Sequence, residues 1–247
     1  MSEQIDEQQN NLFMTLNSSL VTKEKIDIDS IKFKKIMFLY ESALRTMNLN
    51  IELLRDELKL FSNYEPIEYI KTRIKKPSTI IEKLTRRNYS LTYEDMFMHI
   101  SDIAGLRIVC NFKKDIYYLV ERLENIEGIK VISKKDYLQK PKSSGYMSYH
   151  MIVEVPVRIS DGMVFMKVEI QIRTLAMDFW ANIEHKLKYK NDEITKRQSN
   201  NLVKYAKVIN NIDDNMQVCA DKITLKKYEK MVVNAEQALK DNKKRIL

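Results

Sequence analysis

The chain reads as an α+β domain in which a mixed β-sheet of about five strands is flanked by helices, with helical N- and C-terminal appendages. Three observations predict it. Five short runs alternate apolar and polar residues with the period of a strand. Helix-like stretches fall between those runs and pack as a layer against the sheet they form. The 247 residues include only four glycines and four prolines, which leaves little chain for long loops. The length suits one medium domain with appendages.

Residues 1–30 are rich in Gln, Asn and Ser, hold six acidic residues against two basic ones, and read as a flexible extension. From Ser30, a plausible N-cap, a long helical pattern follows in Ile31, Met37/Phe38, Leu44, Ile51, Leu54, Leu58 and Phe61. Asn63 to Pro66 interrupts it, and Ile67–Ile74 fits a short strand. Pro77 opens a helix that runs to about Arg87. Leu106–Phe112 alternates as a strand, Lys114–Asn125 as a helix, and Lys130–Ser133 as a short strand. A Lys-rich loop covers 134–147. Met151–Ile159 and Val164–Arg173 then flank Ser160-Asp161-Gly162-Met163, a hairpin signal. A helix at Leu175–Lys190 carries Ala176, Trp180, Ile183 and Leu187 on one stripe. One or two further helices finish the chain, with Leu202, Tyr205, Ile209, Ile212 and Met216 on one side and a basic end. The domain proper is thus 31–190, and 191–247 form a C-terminal helical region expected to serve oligomerisation or to pack back on the same chain.

A formal net charge of +8 points to an anionic partner, whether nucleotide, nucleic acid or acidic surface. No apolar run approaches the roughly 20 residues a membrane helix needs, and the polar start Met-Ser-Glu-Gln lacks a signal-like apolar stretch. The expected compartment is the cytoplasm. Cys110 sits in an apolar run and Cys219 far from it, in no metal-ligand spacing.

The chemistry concentrates in four segments. In Val164–Arg173 the even positions are apolar, so Lys167, Glu169, Gln171 and Arg173 project together and either face solvent or floor a polar pocket. Lys83 shares a helix face with Arg86 and Arg87, close after Arg73, Lys75 and Lys76; such a face is often merely solvated. Asp102-Ile-Ala-Gly-Leu-Arg107 brings a carboxylate, a permissive glycine and a guanidinium to the start of a core strand. Asp102 and Glu169 form a candidate pair for Mg²⁺, which takes one or two carboxylates plus phosphate oxygens and water. Tyr146, beside Gly145, is placed to stack a base or simply to pack. His150, His99 and His185 have no mutual metal spacing.

Taken together, Arg73-Ile-Lys-Lys-Pro-Ser-Thr-Ile-Ile-Glu-Lys-Leu-Thr-Arg-Arg87, Asp102–Arg107, Gly145-Tyr-Met-Ser-Tyr-His150 and Val168-Glu-Ile-Gln-Ile-Arg-Thr174 resemble the RelA/SpoT synthetase domain. The continuation through Trp180 to His185 is similar to the stand-alone small alarmone synthetases of the RelQ type, and the resemblance spans about residues 31–220. It implies a nucleotidyltransferase-like synthetase fold and a Mg²⁺-dependent pyrophosphokinase. Such an enzyme moves the β,γ-diphosphate of ATP to the ribose 3′-hydroxyl of GDP or GTP (or GMP) and releases AMP. Carried over by motif, Arg73 and Arg107 would sandwich adenine, while Lys75, Lys83 and Arg86 hold ATP phosphates. Asp102 and Glu169 would hold the metal, with Glu169 also drawing the 3′-hydroxyl proton. Tyr146 would stack on guanine, with Lys142, His150 and Gln171 lining the acceptor site. A homotetramer is implied as well.

Departures from the family pattern are Met147, usually polar or basic, and Asp178, an Asn in close relatives. The segment Tyr69-Ile-Lys-Thr72 also differs from the one that binds an allosteric alarmone. Competing readings are a same-fold pyrophosphokinase acting on adenine nucleotides or tRNA, and a single-stranded RNA-binding regulator using Tyr146, Tyr149 and the basic surface.

Overall fold

A computed structural model describes residues 17–62, 64–160, 162–190 and 195–246; the side chains of 62, 188–190 and 224–246 are outside that description. Five strands form one sheet: β1 (Ile67–Ile74), β2 (Ala104–Cys110), β3 (Lys130–Asp136), β4 (Tyr149–Ile159) and β5 (Gly162–Thr174). Their order is β1-β2-β5-β4-β3. The central β2–β5 pairing is parallel and the others are antiparallel, so the sheet is mixed as expected.

Helix α1 (Ile31–Ser62) packs along β1, β2, β4 and β5. Its N-cap is Ser30, whose Oγ accepts from Phe33 N–H at 3.1 Å. The buried stripe is Phe33, Ile36, Leu39/Tyr40, Ala43/Leu44, Met47, Ile51 and Leu58. Phe38 and Phe61, expected on that stripe, are exposed; the true period puts them beyond its edge. This stripe meets Leu106, Ile108, Met151, Val153, Val168, Ile170 and Ile172 in one core. Burying each such side chain is worth on the order of 1.5–3 kcal/mol, which makes this contact the main source of cohesion.

The remaining helices are α2 (Pro77–Arg86), α3 (Tyr93–His99), α4 (Lys113–Glu124), α5 (Leu175–Lys190) and α6 (Lys196–Ile246). Periodicity did not predict α3, because seven residues are too few to display it. Its local signal is the cap Thr92, whose Oγ1 accepts from Asp95 N–H at 3.2 Å. Strand β3 is longer than expected because Lys134, Lys135 and Asp136 continue the pairing with β4. The expected hairpin joins β4 to β5, but its connection is shorter than expected: Gly162 and Met163, expected in the turn, already pair with Ile159 and Arg158, while Asp161 lies outside the described residues.

Residues 17–30, expected to belong to a flexible extension, are folded onto the domain. Leu20 is buried, Lys25 bridges Thr92, and the Asn17 side chain accepts from Phe165 N–H at 3.1 Å. The rest of that expected extension lies outside the described residues.

Helix α6 is clamped by polar contacts. Lys113 reaches Asn210 and Asp214, both at 2.6 Å, and Lys114 reaches Asp221 at 2.5 Å. The Thr174 hydroxyl donates to the buried Asp213 at 2.6 Å, and Trp180 Nε1 donates to the Leu202 carbonyl at 3.1 Å. Of the apolar residues predicted on α6, Leu202 and Ile209 join a small cluster with Trp180, Ala181, Ala206 and Tyr146. Tyr205, Ile212 and Met216 remain exposed. On α5, Trp180 is buried whereas Ile183 and Leu187 are not. Among the described residues no helix is long and apolar enough to cross a membrane.

Candidate active site

Strand register builds the site in rows, because paired residues point to the same face. Arg73, Gly105 and Glu169 stand side by side across β1, β2 and β5. The next row is Lys71, Arg107, Gln171 and, on β4, His150. Beyond it lie Tyr69, Val109 and Arg173. The apolar positions of β5 enter the core, so its polar positions floor a pocket and are not a solvated face. A cleft of about 500 Å³ is lined by Lys71, Thr72, Arg73, Gly105, Leu106, Arg107, Glu169 and Gln171. Gly105 lets the Arg73 side chain lie close over the strand: a Cβ there would stand 3.2 Å from it, and Arg73 would have to shift slightly.

At one end, Asp102 sits two residues before β2. Lys75 Nζ lies 2.8 Å from its Oδ2, and Lys83 Nζ donates to its Oδ1 at 2.8 Å. Burial pushes this carboxyl up, but the two lysines outweigh burial and hold it below the ordinary aspartate range. Arg86 ends α2 in an exposed position, in the same last turn as Lys83. Lys167, on the same strand face as Glu169, is buried and donates to the Phe97 carbonyl at 3.2 Å, a structural role.

Glu169 anchors a closed ring of five side chains. His150 Nδ1 lies 3.4 Å from Glu169 Oε1, which assigns a hydrogen to that nitrogen, and His150 Nε2 lies 2.8 Å from the Tyr146 hydroxyl. Arg173 Nη2 donates to the same hydroxyl and to Gln171 Oε1 at 2.8 Å. Gln171 Nε2 closes the ring onto Glu169 Oε2 at 2.9 Å. Burial, with help from the charge of Asp102, pushes Glu169 up. Contacts with His150 and Gln171 prevail and leave it below the usual glutamate range. Arg73 Nη2 stands 4.0 Å from the same carboxylate.

Tyr146 carries this ring into the loop before β4. Lys142 Nζ lies 4.8 Å from the centroid of its ring and the Arg173 guanidinium 4.9 Å. The loop is held from behind by α6. Gly145 has φ +88° and a Cβ there would come within 2.6 Å of Ala206 Cβ, so only glycine fits. Met147 is buried beneath the same loop, which accounts for an apolar residue at that position.

The network extends to Asp178 on α5. Its Oδ1 accepts from Arg107 at 2.9 Å and Arg173 at 3.2 Å, and its Oδ2 from Tyr69 and Asn182, both at 2.7 Å. Burial raises this carboxyl, but Tyr69 and the two arginines overcome it and leave it depressed. Burial and the bond to Asp178 push the Tyr69 phenol up to about 12, so it remains a donor.

Of the residues expected in the site, Arg73, Arg107, Glu169 and Gln171 line one cleft. Lys75, Lys83 and Asp102 cluster at its end, and Lys142, Tyr146 and His150 continue from the ring. Arg86 is exposed in the last turn of α2. Lys71, Tyr69, Arg173 and Asn182 join these residues in the structure. Strand parity offered a signal for Arg173; the others became visible only with the β1–β2 and α5 packing. Among the described residues no group of three or more His, Cys, Asp or Glu side chains could hold a metal by itself. Asp102 and Glu169, both ionised and partly open, fit a hard divalent cation that completes its shell from phosphate and water.

Comparison with known proteins bears on this geometry. Residues 72–194 match the model described as a region found in RelA / SpoT proteins. GTP pyrophosphokinase YwaC of Bacillus subtilis is 39% identical over 185 residues, covering 74% of this chain and 88% of the relative. GTP pyrophosphokinase YjbM of the same organism is 36% identical over 163 residues, covering 66% and 76%. Among solved structures, the small alarmone synthetase 1 of B. subtilis bound to its product pppGpp superposes with a TM-score of 0.74. It is 32% identical, and the match covers 79% of this chain and 100% of that one. The matched segment holds the cleft residues from Thr72 through Asp178, and the similarity covers 88% of YwaC at 39% identity, so the chain belongs to the RelA/SpoT family.

Proposed function

We propose that this chain is a GTP pyrophosphokinase, an alarmone synthetase that transfers the β,γ-diphosphate of ATP to the 3′-hydroxyl of a guanine nucleotide. The observation that carries this reading is the arrangement of the cleft: cations at one end, a pre-wired carboxylate in the middle, an aromatic platform at the other. The 3′-oxygen attacks Pβ of ATP, the bond from Pβ to the bridging oxygen of Pα breaks, and AMP departs with that oxygen. The hydroxyl proton passes to the carboxylate of Glu169. A carboxylate below its usual range is a weak base, so Glu169 acts chiefly by aiming the hydroxyl and accepting its proton as the bond forms.

Diphosphoryl transfer of this kind depends mostly on positioning and charge neutralisation. Lys75, Lys83 and Arg86 face the ATP phosphates in this reading, Arg73 and Arg107 flank adenine, and Asp102 keeps the two lysines aimed until the phosphates arrive. Tyr146 presents its ring to guanine beside Lys142, His150 and Gln171. Asp102 and Glu169 would hold Mg²⁺, which supplies neutralisation of the transferring group. The exposed stripes Leu175/Phe179/Ile183/Leu187 and Tyr205/Val208/Ile212/Met216 support self-association, and a tetramer is the proposed state; light scattering after gel filtration checks it. The cytoplasm is the proposed compartment.

The test mixes purified protein, Mg²⁺ and γ-labelled ATP with GMP, GDP or GTP and separates products by thin-layer chromatography. Label moving to the guanine nucleotide, and lost in Glu169→Gln, is the expected result. Adenine-nucleotide or tRNA labelling in its place would transfer the reading to another acceptor. RNA binding unaffected by that substitution, with no label transfer, would replace it with a binding role.

A further inference from the structure

The inner face of α6 is a stripe at helical spacing, Leu202, Ala206, Ile209 and Asp213, that carries three apolar residues and one acid. Asp213 is buried, has no part in the chemistry proposed above, and accepts a hydrogen bond from the Thr174 hydroxyl at 2.6 Å. Thr174 is the last residue of β5, the strand that carries Glu169, Gln171 and Arg173. Two helical turns before Asp213, about 10 Å along the same face, Ala206 stands against the acceptor loop. A Cβ added to Gly145 would lie 2.6 Å from Ala206 Cβ and 3.6 Å from Val203 Cα, so the loop backbone rests directly on the helix. Tyr146 packs on the same cluster, which includes Trp180, the single tryptophan of the chain.

We propose that Asp213 is a positioning residue for the acceptor: its bond to Thr174 fixes α6 against the end of β5, and α6 in turn fixes the loop that presents Tyr146. This rests on the pyrophosphokinase reading, in which guanine stacks on Tyr146. An acid on an otherwise apolar face has a physical reason here. Apolar contacts let a helix slide along its axis at little cost, whereas a buried hydrogen bond is directional and holds one register. The other acids that tie α6 down, Asp214 and Asp221, are solvent-exposed partners of Lys113 and Lys114, and such pairs hold weakly in water. Thr174–Asp213 is thus the tie that registers the Tyr146 loop against the strand bearing Glu169. A shift of α6 moves the stacking platform while the Arg73, Lys75 and Lys83 end stays with β1 and α2.

Steady-state label transfer, with GDP varied at saturating ATP and then the reverse, gives both KM values for each variant, and thermal melts give its stability. Asp213→Ala is expected to raise the KM for GDP roughly 10-fold, since a small displacement of a binding group is costly, and to leave the KM for ATP within about twofold. Asp213→Asn keeps an oxygen that accepts from Thr174 and should restore most of the loss. Trp180 emission, read without nucleotides, should move to longer wavelength in Asp213→Ala as the helix over it loosens. Ala206→Gly removes the methyl behind Gly145 with Asp213 intact. It should show the same split at roughly threefold, and it carries the test if Asp213→Ala does not fold. A lower Tm with an unchanged KM for GDP, equal rises in both KM values, or unshifted Trp180 emission overturns the inference while leaving the pyrophosphokinase reading intact. Wild-type protein that transfers no label to any guanine nucleotide overturns both.

Discussion

Arg73 and Arg173 lie on the same face of one sheet, yet the side chain of Arg73 is 57% exposed and that of Arg173 only 4%. The first leans toward Glu169 at the limit of an ion pair, and Arg86 beyond it stands in the open. The second is bound to Asp178, Gln171 and Tyr146 at once. The proposed ATP end thus combines exposed arginines with two lysines held on Asp102, whereas the proposed acceptor end is closed into a ring of hydrogen bonds before any ligand arrives. Affinity at the first end should be electrostatic and salt-dependent; at the second it should depend on shape. Neighbouring halves of one cleft can hence respond to mutation in different currencies.

Glu169→Gln should break the comparison most severely, since Glu169 belongs to both halves. Label transfer is expected to fall by about 10²–10⁴-fold, the span of general-base effects, with an unchanged circular dichroism spectrum. Tyr146→Ala should raise the acceptor KM by about 10- to 100-fold, from lost stacking and a broken ring, and leave the KM for ATP nearly untouched. Gly145→Ala tests whether the acceptor end is rigid. The left-handed backbone and the Ala206 contact should cost about 2–4 kcal/mol, read as a lower Tm, with the acceptor KM rising in the same variant. Arg86→Ala should raise the ATP KM only a few-fold, roughly the 0–1 kcal/mol of an exposed charge, and the effect should fade in salt.

The smallest expected effect is in pH. The carboxyls of Asp102, Glu169 and Asp178 are lower in the folded protein than in the unfolded chain. The stability they contribute is therefore present above the ordinary carboxylate range and lost as pH falls through their folded values. Asp213, under α6, and Asp115, at the start of α4, are raised by burial. Their contribution has the opposite sign, and stability from them increases as pH falls from their folded values toward the ordinary range. Denaturant titrations carried from pH 7 down through the ordinary carboxylate range and below it should show first a gain in stability from the raised pair and then a loss from the depressed three. Asp213→Asn should remove part of the gain and leave the later loss.

Much of this was legible in the sequence. Parity in β5 identified the side that carries Glu169 and Gln171, and the interval from Asp102 to Arg107 located the carboxylate before β2. Arg107, Gln171 and His150 fell into one row because three strands share a register. What the sequence could not display was who holds whom. Tyr69, Arg107, Arg173 and Asp178 come from four elements, and no local pattern joins them. Gly145 was readable as a turn residue, but its need for glycine comes from Ala206 on α6. Residues 17–30 looked solvated by composition, yet Leu20, Asn17 and backbone bonds to the segment that opens α3 tie them to the domain. Arg86 shares a helix face with Lys83 by spacing alone, and one turn of helix separates a side chain that reaches Asp102 from one that does not.

The place of β5 in the sheet has a consequence for the growing chain. It is inserted between β2 and β4, and until it arrives those strands belong to separate half-sheets. A nascent polypeptide would already display Arg73, Lys75 and Lys83 to cellular nucleotides, yet have no means of turning them over. Glu169 reaches its place beside Gly105 only when this strand pairs with β2, and the helices that hold Arg107, Arg173 and the Tyr146 loop follow it in the chain. A prematurely terminated product lacking that strand is therefore silent as a signal generator, and no partial synthesis can raise a false alarm.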